Sequence, residues 1–146
     1  MRLFSLSLLL AFFLISSGWE TDIELAKHKA QDEHKFILLN FSGSDWCGPC
    51  IRMHNEIFES EEFKNYADRN LVLVNADFPR MKKNKLSKDQ QKKNDALADK
   101  YNSRGIFPLT LLLAADGTVI ETWDGMPDKT PQQFTKQVKE LIDSRK

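Results

Sequence analysis

The stretch GSDWCGPCIRMH, residues 43–54, holds both cysteines of the 146-residue chain, Cys47 and Cys50, two residues apart. Such a pair can be a structural staple, a metal clip or a reactive dithiol. The loop it closes is too short to restrict the unfolded chain by much. A chain of this length also buries a core without staples. As a metal module, Cys47, Cys50 and His54 would offer three soft ligands for copper or zinc, with Met53 beside them. No second Cys-x-x-Cys is present to complete a closed zinc site. His54 equally suits an exposed helix face, and His28 and His34 lie in polar surroundings. The expected site therefore contains no metal, and the metal module is the rival reading.

A reactive pair needs a lowered thiol pKa, because the thiolate is the attacking species. Cys47 follows an apolar run and a short loop and opens a helix. There it meets unpaired backbone N–H groups and the positive end of the helix dipole. A depression worth about 2 kcal/mol would suffice, of which the dipole supplies about half and an N–H···S bond from Cys50 can add more. Gly48 allows a tight turn. Pro49 suits the first helical turn, where its missing N–H costs nothing. Cys50 lies one turn in and is expected to be the better shielded sulfur. Cys47 is then the nucleophile and Cys50 the resolving thiol, with Trp46 shielding the pair and offering a flat surface to a partner.

Outward from this stretch, helix and strand signals alternate. Residues 21–34 open with Thr21 three positions before Glu24, a capping-box pattern, and Ile23, Ala26 and Ala30 share one face. KFILLNF, residues 35–41, and LVLVNAD, residues 71–77, read as buried strands. After the cysteines, Ile51, Ile57 and Phe58 are expected on the inner side of a helix, and Ser60 caps a further short helix. Residues 78–94 carry Arg80, Lys82, Lys83, Lys85, Lys88, Lys92 and Lys93. They read as a solvated loop running into an exposed helix that ends near Asn102, or as a docking patch for an acidic partner. PLTLLLAADGTVIETW reads as two strands joined by a turn at Asp116 and Gly117. Thr130 and Pro131 start a last helix, with Phe134, Val138, Leu141 and Ile142 inward. This order implies parallel pairing first and an antiparallel hairpin later. The expected fold is α/β, a central mixed β-sheet flanked by helices on both faces.

The N-terminus bears on the compartment. Arg2, an apolar run over residues 3–15 and the small residues Ser16, Ser17 and Gly18 have the layout of a secretory signal peptide. The run is short for a membrane span. The expected organisation is a signal peptide over residues 1–18 and one domain over 19–146. Cleavage removes Arg2 and no acid, so 21 basic residues become 20 against 21 acidic ones, a net charge of −1. No overall field then favours nucleic acid. The domain is expected to be secreted across the inner membrane, into a bacterial periplasm, where thiol pairs tend to oxidise.

WCGPC, residues 46–50, resembles the active-site motif of the thioredoxin family letter for letter. In RGIFPLTLLL, Pro108 stands at the place of that family's cis-proline. The resemblance covers about residues 21–142, nearly all of the chain after the signal segment, and is strongest to secreted bacterial thioredoxin-like proteins. It implies a thioredoxin-like fold and a thiol–disulfide oxidoreductase working through Cys47 and Cys50, without a cofactor. Trp46, Gly48, Pro49 and Pro108 would support the site, and Phe107 and Trp46 would meet the substrate. Gly48–Pro49 resembles the reducing members, so the expected substrates are protein or small-molecule disulfides. A membrane-bound partner is expected to supply electrons. An isomerase would usually need a dimer, for which no dedicated segment is present, so a monomer is expected. The resemblance also has gaps. Asn40 falls where the family often has a buried aspartate, and Leu73 where its lysine partner stands. Asp45 and Glu121 are candidate substitutes as proton acceptor for Cys50. Leu109 follows Pro108 in place of the usual threonine.

Overall fold

The computed structural model describes residues 18–145; the signal-peptide reading of residues 1–18 lies almost wholly outside them. The elements run α1 (Ile23–Asp32), β1 (Phe36–Ser42), α2 (Gly48–Met53), α3 (Glu61–Asn70), β2 (Leu71–Asp77), α4 (Lys88–Tyr101), β3 (Leu109–Leu113), β4 (Val119–Asp124) and α5 (Pro131–Asp143). A π-helical turn, His54–Phe58, continues α2, and a short 3-10 turn, Lys82–Asn84, precedes α4. No helix among the described residues is long and apolar enough to cross a membrane.

The sheet order is β2-β1-β3-β4. β1 and β2 are parallel, with Leu38 opposite Leu73 and Asn40 opposite Asn75. β3 runs antiparallel to both β1 and β4. Gly117, at φ +91, makes the turn between β3 and β4 in a conformation that disfavours side chains. Alternate residues of β1 divide the core between the two faces. Ile37, Leu39 and Phe41 pack with Ala26 and Ala30 of α1 and Leu97 of α4. Leu38 packs with Met53, Phe63 of α3, and Phe134, Val138 and Ile142 of α5. This is the mixed sheet with helices on both faces that the element order implies.

Local signals account for most helix starts. Ser60 accepts the N–H of Phe63 at 3.2 Å. Thr130 and Gln133 exchange the two bonds of a capping box. The start of α1 differs from expectation. Asp22 is its cap, accepting from Glu24 N–H at 2.9 Å and Leu25 N–H at 3.2 Å. An aspartate one residue nearer the helix reaches these orphan donors where Thr21 does not.

The inner face after the cysteines also needs correction. Cys50, Met53 and Ile57 follow helical spacing and are buried, while Ile51 is 41% exposed. Ile51 sits one position, about 100° of helical rotation, from that buried line. The wider π turn brings the adjacent Ile57 and Phe58 inward together.

Candidate active site

β1 ends at Ser42, and five residues later the chain enters α2 with Cys47 as its N-cap. Gly48 and Pro49 form the first helical positions. A Cβ on Gly48 would meet open space, so no close approach requires glycine there. Cys47 and Cys50 are joined in a disulfide. The Cys50 N–H points at Cys47 Sγ, 3.3 Å away. That donor is one of the orphan amides of the helix start.

Exposure barely separates the two cysteines, where Cys50 was expected to be clearly the better shielded. Cys47 is 5% and Cys50 4% exposed. Cover for this end of the sheet comes from segments distant in sequence. Trp46 donates its indole N–H to the Phe78 carbonyl at 2.7 Å. Phe107 makes edge contacts with both Trp46 and Phe78, each at 5.5 Å between centroids. The Arg80 guanidinium lies over the Trp46 ring, 3.7 Å from its centroid. Gly43 admits this arrangement, because a Cβ there would lie 2.3 Å from Trp46 Cε2. The Phe107–Pro108 peptide is cis. Pro108 is buried, and its carbonyl accepts from Gly125 N–H at 2.8 Å.

Two carboxylates anchor the loop before Trp46. Asp77 accepts from Ser44 N–H and from the Phe78 N–H, both at 2.9 Å. Asp45 accepts from Arg80 N–H and Met81 N–H at 2.9 Å and from the Asn84 side chain at 3.0 Å. These bonds, led by that from Arg80, hold its carboxyl below the usual carboxylate range.

On its inner side Cys50 borders a cleft of about 460 Å³, lined also by Asn40, Ser42, His54 and Asn75. Asn40 is 6% exposed. Its amide donates to Asn75 Oδ1 at 3.1 Å, and its carbonyl accepts from Thr110 Oγ1 at 3.0 Å. Ser42 also donates to Asn75 Oδ1, at 3.1 Å. A neutral amide pair thus stands where a charged pair would have been costly to bury. Leu73 takes no part in it, since the register carries it to Leu38.

The candidate proton acceptors are not in this cleft. Asp45 turns to the 80–84 loop, and Glu121 sits opposite Leu112 with Oε1 accepting from Thr122 N–H at 2.9 Å. His54 lines the cleft, but its Nε2 lies 3.5 Å from Glu59 Oε1. No group of three metal-ligating His, Cys, Asp or Glu side chains gathers among the described residues, so Cys47, Cys50 and His54 do not form a ligand set. Asn75, Thr110, Ser42 and Arg80 are site residues that sequence reading did not single out for this position. Only Arg80 carried a signal, as the first cation of the basic run.

The sequence profile of the thioredoxin-like domain family matches residues 23–142. The disulfide bond reductase DsbH of Chlamydia pneumoniae is 42% identical over 99 residues, 68% of this chain and 57% of that protein. The thioredoxin-related protein DsbJ of the same organism is 25% identical over 126 residues, 86% of this chain and 35% of that protein. The match therefore spans less than two thirds of either relative. A solved structure of a DsbH oxidoreductase is 32% identical with a TM-score of 0.77, covering 86% of this chain and 84% of that one. With the match running over residues 23–142, the chain belongs to the thioredoxin-like domain family.

Proposed function

We propose that this chain is a thiol–disulfide oxidoreductase that reduces protein disulfides outside the cytoplasm. The observation that carries the reading is the Cys47–Cys50 disulfide at the start of α2, with the Cys50 N–H directed at Cys47 Sγ. In the reduced protein the same N–H and the helix start favour a thiolate on Cys47. That thiolate attacks one sulfur of a substrate disulfide. The substrate S–S bond breaks, and the second sulfur leaves as a thiolate with the bonding electron pair. Cys50 then loses its proton to water in the adjoining cleft and attacks Cys47 Sγ. The mixed disulfide breaks, the remaining substrate sulfur leaves, and Cys47–Cys50 closes. Two electrons have passed from the dithiol to the substrate, and no cofactor is needed.

The direction of transfer is supported by Gly48–Pro49, which resembles the reducing members, and by the name of the Chlamydia relative, a disulfide bond reductase. Trp46 and Phe107 present aromatic surface to the substrate, and Pro108 shapes the wall beside it. Gly48 and Pro49 set the helix start. The N-terminal segment supports export to a periplasm. An oxidising compartment requires a dithiol donor to recharge the pair, and a membrane-bound partner fits that need. The protein acts as a monomer.

The test is reduction of insulin with dithiothreitol as donor. Wild type is expected to accelerate it, and Cys47→Ser to abolish the acceleration. Cys50→Ser is expected to accumulate mixed disulfides through Cys47. Trapping by Cys47→Ser and none by Cys50→Ser would reverse the two roles. No acceleration by the wild type would sink the reductase reading. Equilibration against glutathione buffers then gives the potential of the pair.

A further inference from the structure

We propose that the loop over residues 80–85 is a docking strip for polypeptides whose reducible cysteine is flanked by aspartate or glutamate. The proposal rests on the oxidoreductase reading above and names its substrate class.

Arg80, Lys82, Lys83 and Lys85 fall within six consecutive residues, and residues 78–88 contain no acid. All four side chains are exposed. Elsewhere Lys27, Lys29, Lys35, Lys64, Lys93, Arg104, Lys136 and Lys139 each have a carboxylate within ion-pair distance, while cations such as Arg52 and Lys92 stand outside any such run. Among the described residues, none of the four loop cations pairs in this way. Asp45 touches the loop, but through the main-chain N–H groups of Arg80 and Met81 and the side chain of Asn84. It offsets one of four positive charges and leaves the cationic side chains turned to solvent.

The position of the strip gives it a purpose. Asp45 is two residues from Cys47, so its three bonds hold the loop against the start of the reactive stretch. The positive edge begins beside the residue that precedes Cys47, because Arg80 stacks on Trp46. Stacking fixes the guanidinium plane and leaves its N–H edge free for a carboxylate. Trp46 in turn contacts Phe107, the residue before Pro108. A chain that presents a cysteine to Cys47 across Trp46 and Phe107 therefore passes Arg80. Lys82, Lys83 and Lys85 extend the same field beyond it. The whole chain has a formal charge of zero, so the field is local and offers no long stripe for nucleic acid.

The test compares three disulfide-linked peptides of matched length, with cysteine flanked by Asp and Glu, by Ser and Gln, or by Lys. Full-length protein is reduced with dithiothreitol, freed of it, and mixed with each peptide in single-turnover stopped flow. The acidic peptide is expected to react about tenfold faster than the lysine peptide at low ionic strength, with the gap closing in about 0.5 M salt. Lys82→Glu/Lys83→Glu is expected to reverse the order. Lys136→Glu, on α5, is expected to leave it in place. Equal rates for all three peptides overturn the proposal while leaving the reductase reading intact. So does a preference that the double variant does not alter. Failure to reduce any peptide overturns both. A strip serving a lipid surface would instead give equal peptide rates together with co-sedimentation on phosphatidylglycerol vesicles, and that pair of results also overturns it.

Discussion

Asn40 and Asn75 face each other across β1 and β2, with the Asn40 amide nitrogen 3.1 Å from Asn75 Oδ1. The Asn75 oxygen also accepts from Ser42, and the Asn40 oxygen accepts from Thr110. Each polar atom so engaged is matched donor to acceptor, and the pair carries no charge. Cys50 borders the cleft beside it. The inner cysteine of this protein thus borders neutral amides and a hydroxyl, with no carboxylate among the residues lining that cleft.

Asn40→Asp tests that arrangement. The new carboxylate would replace an amide donor facing Asn75 Oδ1, setting acceptor against acceptor in a buried site without a lysine. Its folded-state pKa is expected to rise, because burial and the opposed oxygen both disfavour the anion. The unfolded chain then releases the proton more readily than the folded one. Stability falls as pH rises above the unfolded value of about 3.9, until the folded pKa is passed. The variant should lose about 1–2 kcal/mol more, relative to wild type, at pH 7 than at pH 5. Denaturant melts of the oxidised proteins at both pH values measure this. Equal differences at the two would mean that residue 40 is solvated. In turnover, the pH profile should change more than substrate binding.

Gly43→Ala should disturb Trp46. The added Cβ would lie 2.3–2.6 Å from three atoms of the indole. The ring cannot yield freely, since its N–H is bonded to Phe78 and it packs against Phe107. Displacing it is expected to cost about 1–3 kcal/mol. The indole N–H resonance of Trp46 should shift toward that of a solvent-bonded tryptophan. An unchanged resonance and melting midpoint would show that the loop absorbs the methyl group without moving the ring.

Asp45→Ala should release the basic loop without unfolding the domain. The carboxylate is bonded to the main chain at residues 80 and 81 and to Asn84, all in one exposed segment. Losing these bonds favours local opening. Brief trypsin treatment should cut the variant after Lys82 or Lys83 severalfold faster than wild type. Because the Asp45 pKa is lowered in the folded protein, wild-type protection should persist below the unfolded pKa of about 3.9 and fade only at lower pH. Pepsin, active in that range, can follow the decline. Equal tryptic cleavage of the two proteins would mean that Trp46 and Arg80 hold the loop unaided.

Much of this architecture was legible because its signals are local. Ser60 and Thr130–Pro131 announce their helices through bonds spanning three residues. Gly117 marks the hairpin turn, and the runs at 35–41 and 71–77 lie within one residue of the observed strands. Cys47 at a helix start follows from its position after a strand. The parts that were not legible depend on distant segments meeting. Asn75 becomes the partner of Asn40 only through the register of two strands separated by 35 positions. The cluster of Trp46, Phe78, Phe107 and Arg80 likewise joins segments about 30 residues or more apart, which no local signal announces. Ile51 was misplaced because an apolar residue on a short helix can line a cleft rim instead of the core.

Tyr66 provides a test away from the site. Its hydroxyl is buried and has no hydrogen-bond partner among the described residues. Desolvation, with a smaller contribution from the Asp143 charge, pushes its pKa up to about 12. A phenol in the unfolded chain titrates near 10. Between those values the folded protein keeps a proton that the unfolded chain gives up, so stability drains away as pH rises from about 10 to about 12. Tyr66→Phe removes both the unpartnered hydroxyl and this titration. The variant should be as stable as wild type or somewhat more stable at pH 7, since an unsatisfied buried hydroxyl costs about 1–3 kcal/mol. Its advantage should grow when the two are compared at pH 10.5. Thermal melts of wild type and variant at both pH values supply the comparison. A variant less stable at pH 7, with an unchanged difference at pH 10.5, would mean that the hydroxyl is hydrogen-bonded in solution and titrates near its ordinary value.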